Sequence, residues 1–342
     1  MDTLHLHINS KRFRVLIGTG GIGSGSFFRL NENHTLGREE SRSGVFLDQK
    51  DYCKLHIITH YIKSFLEESI DLFPVGRIGD DSVGNQLLKE MRTVGMSTDY
   101  VRVEKGEDTL FSFCYLYPDG SGGNLTTSNS ACSKTRPDDI TKTKYLFSEN
   151  VKKGIALAVP EVPLETRFEL LQLATEYKFF RAASFTTEEM LSVLDSNILN
   201  KVDYLAINID EAAALIGSVN KLKSSSEVVE KVVLYSKENY PGLYLSVTDG
   251  SNGSWAWDGH SLEYFNAFQP KKVFNTAGAG DAYFAGVLTG ISTGSTFHEA
   301  QRIGALLAAY SVTSNHTIHH EVSRRTLIKF AQTQKISLRI QE

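Results

Sequence analysis

Apolar residues recur along this chain in two rhythms, and the alternation between them predicts how it is organised. From about residue 140 onward, short continuous apolar runs alternate with segments whose apolar positions return at helical spacing. Residues 153–159 (KGIALAV), 179–183, 202–207 (VDYLAI) and 243–247 lack a polar face, as strands covered on both sides require. Between them, 164–177 carries Leu170, Leu171 and Ala174 on one face and reads as a helix, as do 187–199, 211–217 and 224–235. Strand and helix in repetition predict an α/β fold, a parallel sheet layered with helices. Beyond 247, SWAW and SLEY flank Asp258-Gly259-His260, where Asp-Gly signals a tight hairpin. A strand-like run, Lys272 to Phe274, and a helix over 282–288 follow.

The first 135 residues are mixed. Residues 13–17 (FRVLI) predict a strand, 54–67 a helix, 72–75 a strand and 84–93 a helix. Two stretches, 27–47 and 109–128, have another character: the second contains FSFCYLY, Pro118-Asp119-Gly120 and Gly122-Gly123, the composition of short strands joined by turns. Two such excursions predict a small antiparallel sheet built from both, lying as a cover over one edge of the core and excluding water from a site beneath. The expected division is a core of 1–26, 48–105 and 130–342 with a β lid of 27–47 and 106–129. A length of 342 residues suits a large domain with such an appendage.

Charge narrows the partners. A net charge of -4 and a pI near 6.2 create no field that gathers nucleic acid or an anionic membrane, so a small molecule or a second copy of the chain is expected. No apolar run is long enough to span a bilayer, and Met1-Asp2-Thr3-Leu4-His5 has no leader pattern, which predicts a cytoplasmic protein. Cys53, Cys114 and Cys132 form no C-x-x-C pair and read as reduced, buried thiols. His56 and His60, and the group His316, His319 and His320, lack H-E-x-x-H or zinc spacing and read as core or surface residues.

Two glycine-rich segments carry candidate chemistry. Gly18-Thr19-Gly20-Gly21-Ile22-Gly23 follows the first strand and satisfies G-x-G-x-x-G, with Glu39 and Glu40 roughly 20 residues on. Alone it would propose an NAD-dependent oxidoreductase. Its continuation, Ser24-Gly25-Ser26-Phe27 and onward to Asn31 and Asn33, suits a turn into an extended segment better than the helix that motif requires. The second segment is Asn275-Thr276-Ala277-Gly278-Ala279-Gly280-Asp281, just before a helix. Small residues let backbone approach a ligand, and successive N–H groups at a helix N-terminus hold anions. An Asp beside a bound phosphate serves either as general base in phosphoryl transfer or as a helix cap, and the residue alone does not choose.

Extended to Gly286, this stretch resembles the signature D-T-x-G-A-G-D of the PfkB, or ribokinase-like, carbohydrate kinases. Asn208-Ile209-Asp210-Glu211 resembles the family's N-x-x-E motif, Thr248 to Gly253 its T-x-G-x-x-G loop, and Gly76 to Gly84 its GxxGxDxxG segment. The resemblance spans most of 70–315. It implies a ribokinase-like three-layer α/β/α domain with a mostly parallel central sheet and a small β lid. It further implies ATP and Mg2+ as cofactors, transfer of the γ-phosphate to a sugar-like hydroxyl, and a homodimer formed through the lid. Asp281 becomes the base, with the backbone of Ala277, Gly278, Ala279 and Gly280 as anion hole. Asn208 and Glu211 fall near Mg2+ and the triphosphate, and Thr248, Gly250, Gly253 and Asn275 along the nucleotide. Asn208 and Glu211 also have the spacing of a helix capping box, which is compatible with that role.

The chain departs from the family at the acceptor end. Gly23 stands where an Asp that grips sugar hydroxyls is usual, and Asp51-Tyr52-Cys53-Lys54-Leu55-His56 replaces a Gly-Gly pair followed by Asn. Asn275 replaces the first Asp of the signature, and 311–320 is altered enough that no monovalent cation is assigned. Candidate acceptor contacts are Gly20, Gly21, Asn124, Thr126, Thr127 and Asn129, with Glu39 or Arg42. These losses leave a non-catalytic sugar or nucleotide sensor as a further alternative.

Overall fold

Buried strands in this chain place alternate side chains on opposite faces of one sheet, and the two faces collect separate cores. The structure, a computed structural model, describes residues 2–7, 12–119, 122–218 and 224–341. Gly120 of the expected turn lies outside them. The chain opens with β1 (Asp2–His7), β2 (Val15–Thr19), β3 (Gly23–Leu30), β4 (Gly44–Tyr52), α1 (Lys54–Leu66), β5 (Asp71–Gly79) and α2 (Ser82–Thr93). It continues through β6 (Val101–Glu104), β7 (Leu110–Leu116), β8 (Gly122–Thr126), α3 (Pro137–Thr141), α4 (Lys144–Glu149), β9 (Gly154–Ala158), α5 (Leu164–Glu176) and β10 (Phe180–Ala183). Next come α6 (Met190–Asp195), β11 (Tyr204–Asn208), α7 (Ile209–Leu215), α8 (Ser225–Asn239), β12 (Tyr244–Thr248), β13 (Ser254–Trp257) and β14 (Leu262–Phe265). The last elements are α9 (Ala279–Ser292), α10 (Phe297–Ser311), α11 (Arg324–Thr333) and β15 (Ile336–Gln341).

Nine strands form the central sheet in the order β14-β13-β12-β11-β10-β9-β2-β5-β6. All neighbours from β12 to β6 pair parallel, while β13 and β14 turn back antiparallel at one edge. On β2, Leu16 joins the cluster packed under α1, α9 and α10, whereas Val15 and Ile17 join the cluster under α5 and α8. Each such side chain, removed from water, stabilises the fold by about 1.5–3 kcal/mol. The result is the expected three-layer sandwich. Among the described residues no helix is long and apolar enough to cross a membrane.

Some expectations need correction. Residues 272–274 are not a strand: Phe274 donates its N–H to Val312 O (2.8 Å), and Val273 and Phe274 are exposed. The helix expected over 187–199 is only α6 plus a 3-10 turn at Ile198–Lys201, because Asn197 takes a left-handed backbone (φ 55) between them. The pairing of β1 with β15 was not anticipated; it joins the two ends of the chain in parallel register. The dinucleotide fingerprint fails on geometry, since Gly23 opens β3 rather than a helix and so offers no helix N-terminus to a pyrophosphate.

The second sheet orders its strands β4-β3-β7-β8 and draws, as expected, on both excursions. It is not wholly antiparallel: β3 and β7 pair parallel from Gly23 and Leu110 to Arg29 and Leu116. That seam joins two hairpins from distant parts of the chain.

Asp81 anchors this sheet to the core. It caps α2 by accepting the Gly84 N–H (2.7 Å), and it also accepts the Thr109 N–H and hydroxyl (both 2.7 Å) just before β7. Burial works to raise its pKa, but these bonds prevail and hold the carboxyl below its ordinary range. Its contribution is therefore present above the usual carboxylate pKa and is lost as pH falls through the lowered one. Asp81→Ala should destabilise the protein by about 2 kcal/mol at neutral pH, with the gap to wild type narrowing on acidification. Urea unfolding of both proteins over a pH series checks this, and equal stability at neutral pH would remove the anchor.

Candidate functional site

Parallel sheets gather ligands at the carboxyl ends of their strands, because the chain there turns outward and following helices present their N-termini. Five such ends converge here. Thr19 leads into Gly20 and Gly21, β9 into Glu161, β10 into Ser184, β11 into Asn208, and β12 into the 248–253 turn. A cleft of about 540 Å³ opens beside them, lined among others by Asn208, Glu211, Thr248, Gly250, Gly253 and the 278–281 segment.

The signature stretch runs into α9: Asn275 to Gly278 precede the helix, and Ala279 to Asp281 belong to its first turn. Gly278 is its N-cap with φ 75, and a Cβ there would stand 3.0 Å from that of Thr317, so glycine is required. The amides of the first turn have no partner within the helix. Two amides of the expected cradle are already engaged: Ala277 N–H donates to Asn275 Oδ1 (3.0 Å), and Ala279 N–H turns back to Thr276 O (3.2 Å). Asn275 also donates its side-chain amide to Asn315 O (3.0 Å). Asn275 thus braces the segment, and among the described residues no hydrogen bond engages the Gly278, Gly280 and Asp281 amides.

Asp281 extends from this first turn to Lys54 at the start of α1, with Nζ and Oδ1 3.2 Å apart. Among the described residues Lys54 is the one lysine or arginine lining the cleft. Asp281 above all, aided by Glu211 and Glu161, overcomes burial and raises the pKa of its ammonium. Sequence reasoning had not assigned Lys54 a role. The pair joins residues 227 positions apart, so spacing carries no sign of it.

Asn208 and Glu211 do form a capping box at α7. Asn208 Oδ1 accepts the Asp210 and Glu211 amides (both 2.9 Å), and Glu211 accepts the Asn208 N–H (2.9 Å). Burial raises the Glu211 pKa against the opposing pull of Lys54 and that amide. In the 248–253 turn Gly250 and Gly253 have φ of 52 and 111, and a Cβ on Gly253 would stand 2.3 Å from Phe265 O. Turn geometry and a cleft wall coincide there.

The acceptor candidates fare unequally. Gly20 and Gly21 press on the loop after β9: a Cβ on Gly21 would stand 2.0 Å from Glu161 Oε2, and its N–H donates to Pro160 O (3.0 Å). Asn124, Thr126 and Asn129 are exposed, and no hydrogen bond joins them to Lys54, Glu161 or Asp281. Thr127 accepts the Phe111 N–H (3.1 Å). Arg42 spends its guanidinium on His34 O and Glu32 O within the lid's long loop, where Glu39 is exposed.

Glu161 is the other residue that sequence reading missed. Its carboxylate accepts the Lys54 N–H (3.4 Å), and its backbone has φ 78, a left-handed conformation that costs a non-glycine residue about 1–3 kcal/mol. Its place after a parallel strand, in Pro160-Glu161-Val162-Pro163, was the available signal. His316 and His319 have structural partners, His316 accepting the Lys50 N–H (2.8 Å) and His319 donating its own to the Tyr61 hydroxyl (2.9 Å). Burial pushes His56 down to about 3 and His60 to about 4, so both are neutral, and among the described residues no cluster suits a metal.

The sequence comparison agrees with this geometry. The family described as pfkB family carbohydrate kinase matches residues 61–323. The chain belongs to that family. Fructoselysine 6-kinase of Escherichia coli (strain K12) is 44% identical over 66 residues, only 19% of this chain and a quarter (25%) of that protein's length. Ribokinase of Bacillus subtilis (strain 168) is 24% identical over 245 residues, covering 71% of this chain and 75% of the relative. In fold, the chain is similar to Arabidopsis thaliana ribokinase complexed with ribose and ATP, with a TM-score of 0.70 at 19% identity over 93% of this chain and 98% of that one.

Glu161 generates a pH dependence. Burial, reinforced by Asp281 and Asp51 and opposed by Lys54, pushes its carboxyl up to about 7. The folded chain then holds a proton that the unfolded chain releases near the ordinary Glu pKa of about 4.3, so this group makes stability fall as pH rises from there to about 7. Glu161→Gln should flatten the wild-type decline across that window in urea unfolding; an identical pH profile would refute the assignment.

Proposed function

We propose that the protein transfers the γ-phosphate of ATP to a hydroxyl of a sugar or sugar-like acceptor. The observation that carries this reading is Asp281, set in the first turn of α9 and paired with Lys54, the one lysine or arginine that lines the cleft among the described residues. Asp281 takes the acceptor's proton as its oxygen bonds to the γ-phosphorus, and the bond to the β-phosphate bridging oxygen breaks to release ADP. The α9 amides meet the charge that develops on the transferred group. Family membership supports the reaction type, and the ribokinase solved with ribose and ATP supports the pair of ligands.

The donors near the triphosphate position suit magnesium. Asn208 and Glu211 offer only oxygen to a metal, and a cation there would offset the burial that raises the pKa of the half-buried Glu211 carboxyl. With one Asn208 oxygen engaged in capping, these two residues would hold Mg2+ through water, and the ion would supply charge neutralisation of the triphosphate. No monovalent cation is assigned, because the Asn275 amide already serves the Asn315 carbonyl.

Asp281→Asn should keep its affinity for ATP while kcat falls by about 10²–10⁴-fold, measured by nucleotide titration and by coupled ADP release with ribose, fructose and fructoselysine as acceptors. Turnover near that of wild type would dismiss the base. Tight ATP binding by wild type with no transfer to any acceptor would instead favour the non-catalytic sensor.

The lid is also the proposed dimer surface. Its outer face groups Phe28, Phe46 and Phe113 with ring centroids 5.1–6.2 Å apart, and leaves Phe46 68% and Leu125 61% exposed. A patch of this kind is costly to leave in water. Sedimentation should show a dimer at micromolar concentration and a monomer for Phe46→Glu combined with Leu125→Glu. A monomeric wild type under those conditions would exclude the lid interface.

A further inference from the structure

Asp51, near the end of β4, is a buried carboxylate with no task in the steps described so far. It is 6% exposed, and its Oδ2 receives the Ser112 hydroxyl and the Cys114 thiol (3.4 Å for the latter), with no lysine or arginine among its partners. The Tyr52 backbone amide also favours its charge, but a buried charge compensated by hydrogen bonds without a cation is expensive to maintain. Its surroundings are built around it. Across the lid, Asp51 stands opposite Gly25 and Gly25 opposite Ser112, and a Cβ on Gly25 would stand 2.1 Å from Ser112 Oγ. Glycine at 25 therefore leaves the space through which Ser112 reaches Asp51.

The carboxylate also belongs to the reacting centre's neighbourhood. Burial raises its pKa, and Asp281 adds to that rise; Asp51 in turn contributes to the raised pKa of Glu161. It lies three residues before Lys54, the partner of Asp281. Position 23 on the adjacent strand can carry no acceptor-binding side chain, for a Cβ there would stand 2.4 Å from Leu110 O and 2.7 Å from the Cys53 sulfur.

We propose that Asp51 is the acceptor-recognising carboxylate of this enzyme, taking a hydrogen bond from a sugar hydroxyl next to the one that is phosphorylated. The inference rests on the kinase reading given above. It places recognition on the lid sheet rather than on the core: Ser112 and Cys114, from the other hairpin, aim the carboxylate, and the acceptor is a polyol with neighbouring hydroxyls. Asp51→Asn keeps the shape and removes the charge that makes such a bond strong.

Coupled ADP release by the full chain, with ribose, fructose or fructoselysine as acceptor, provides the test. Asp51→Asn should raise the acceptor KM by about 10-fold or more with the KM for ATP within about twofold, and Ser112→Ala should raise the acceptor KM by a smaller factor. If Asp51→Asn fails to fold, as circular dichroism would show, Ser112→Ala carries the test alone. An unchanged acceptor KM in the folded variants would overturn the role of Asp51 while leaving the kinase reading standing. A wild-type chain that none of these sugars stimulates would overturn both.

Discussion

Two helix N-termini meet at the carboxyl edge of the sheet, and the contact between Lys54 and Asp281 makes that meeting possible. Helix N-termini carry partial positive charge, so a lysine in the first turn of α1, which has no acidic residue there, is unfavourable by itself. Asp281 answers that charge from the first turn of α9, and Glu211 and Glu161 add to it. The same balance suits catalysis. In the reaction proposed above the cation would meet the transferred phosphate and the carboxylate would accept the proton, so one ion pair that joins α1 to α9 would also equip the site.

A second tie joins the phosphate end to the acceptor end. The segment following α10 lends Asn315 O to the Asn275 amide and confines Gly278 through Thr317. The same segment receives the Tyr52 N–H on the Thr317 hydroxyl (3.0 Å) and donates the Thr317 N–H to Lys50 O (3.2 Å). It therefore grips β4 on both sides of Asp51 while it shapes the turn that starts α9. Read only for a cation site, 311–320 is altered; in the fold its residues brace the turn that starts α9 and the lid strand together.

Legibility follows from the kind of chemistry each part uses. The core strands declared themselves because burial on both faces leaves a continuous apolar run with polar residues only at the strand end, as in β2, β9 and β11. The residues proposed for the phosphate end could be picked out because they are local: a glycine with positive φ at 278, an Asp three positions on, a capping box at Asn208 and Glu211. Asp51, proposed for the acceptor, and Lys54 and Glu161 beside it were not, since they come from a lid strand, a helix start and a strand end that meet only through tertiary packing. Exposed Asn and Thr residues of β8 drew attention instead because they are polar, and polarity at an edge strand reports contact with water as readily as contact with a ligand. The family match begins at residue 61, inside α1, and so leaves out β3, β4 and Lys54.

The parallel seam in the lid decides what those unmatched residues can do. Had the two excursions formed separate hairpins, each could shift without the other, and a carboxylate on β4 would have no fixed relation to donors on β7. Pairing from Gly23 and Leu110 through Arg29 and Leu116 locks their register, so Ser112 and Cys114 face Asp51 at set positions. Asp81 then pins the residue that opens β7 to the start of α2 in the core. The position of Asp51 is thereby inherited from the core through backbone pairing, which is how a cover assembled from distant segments can fix a side chain.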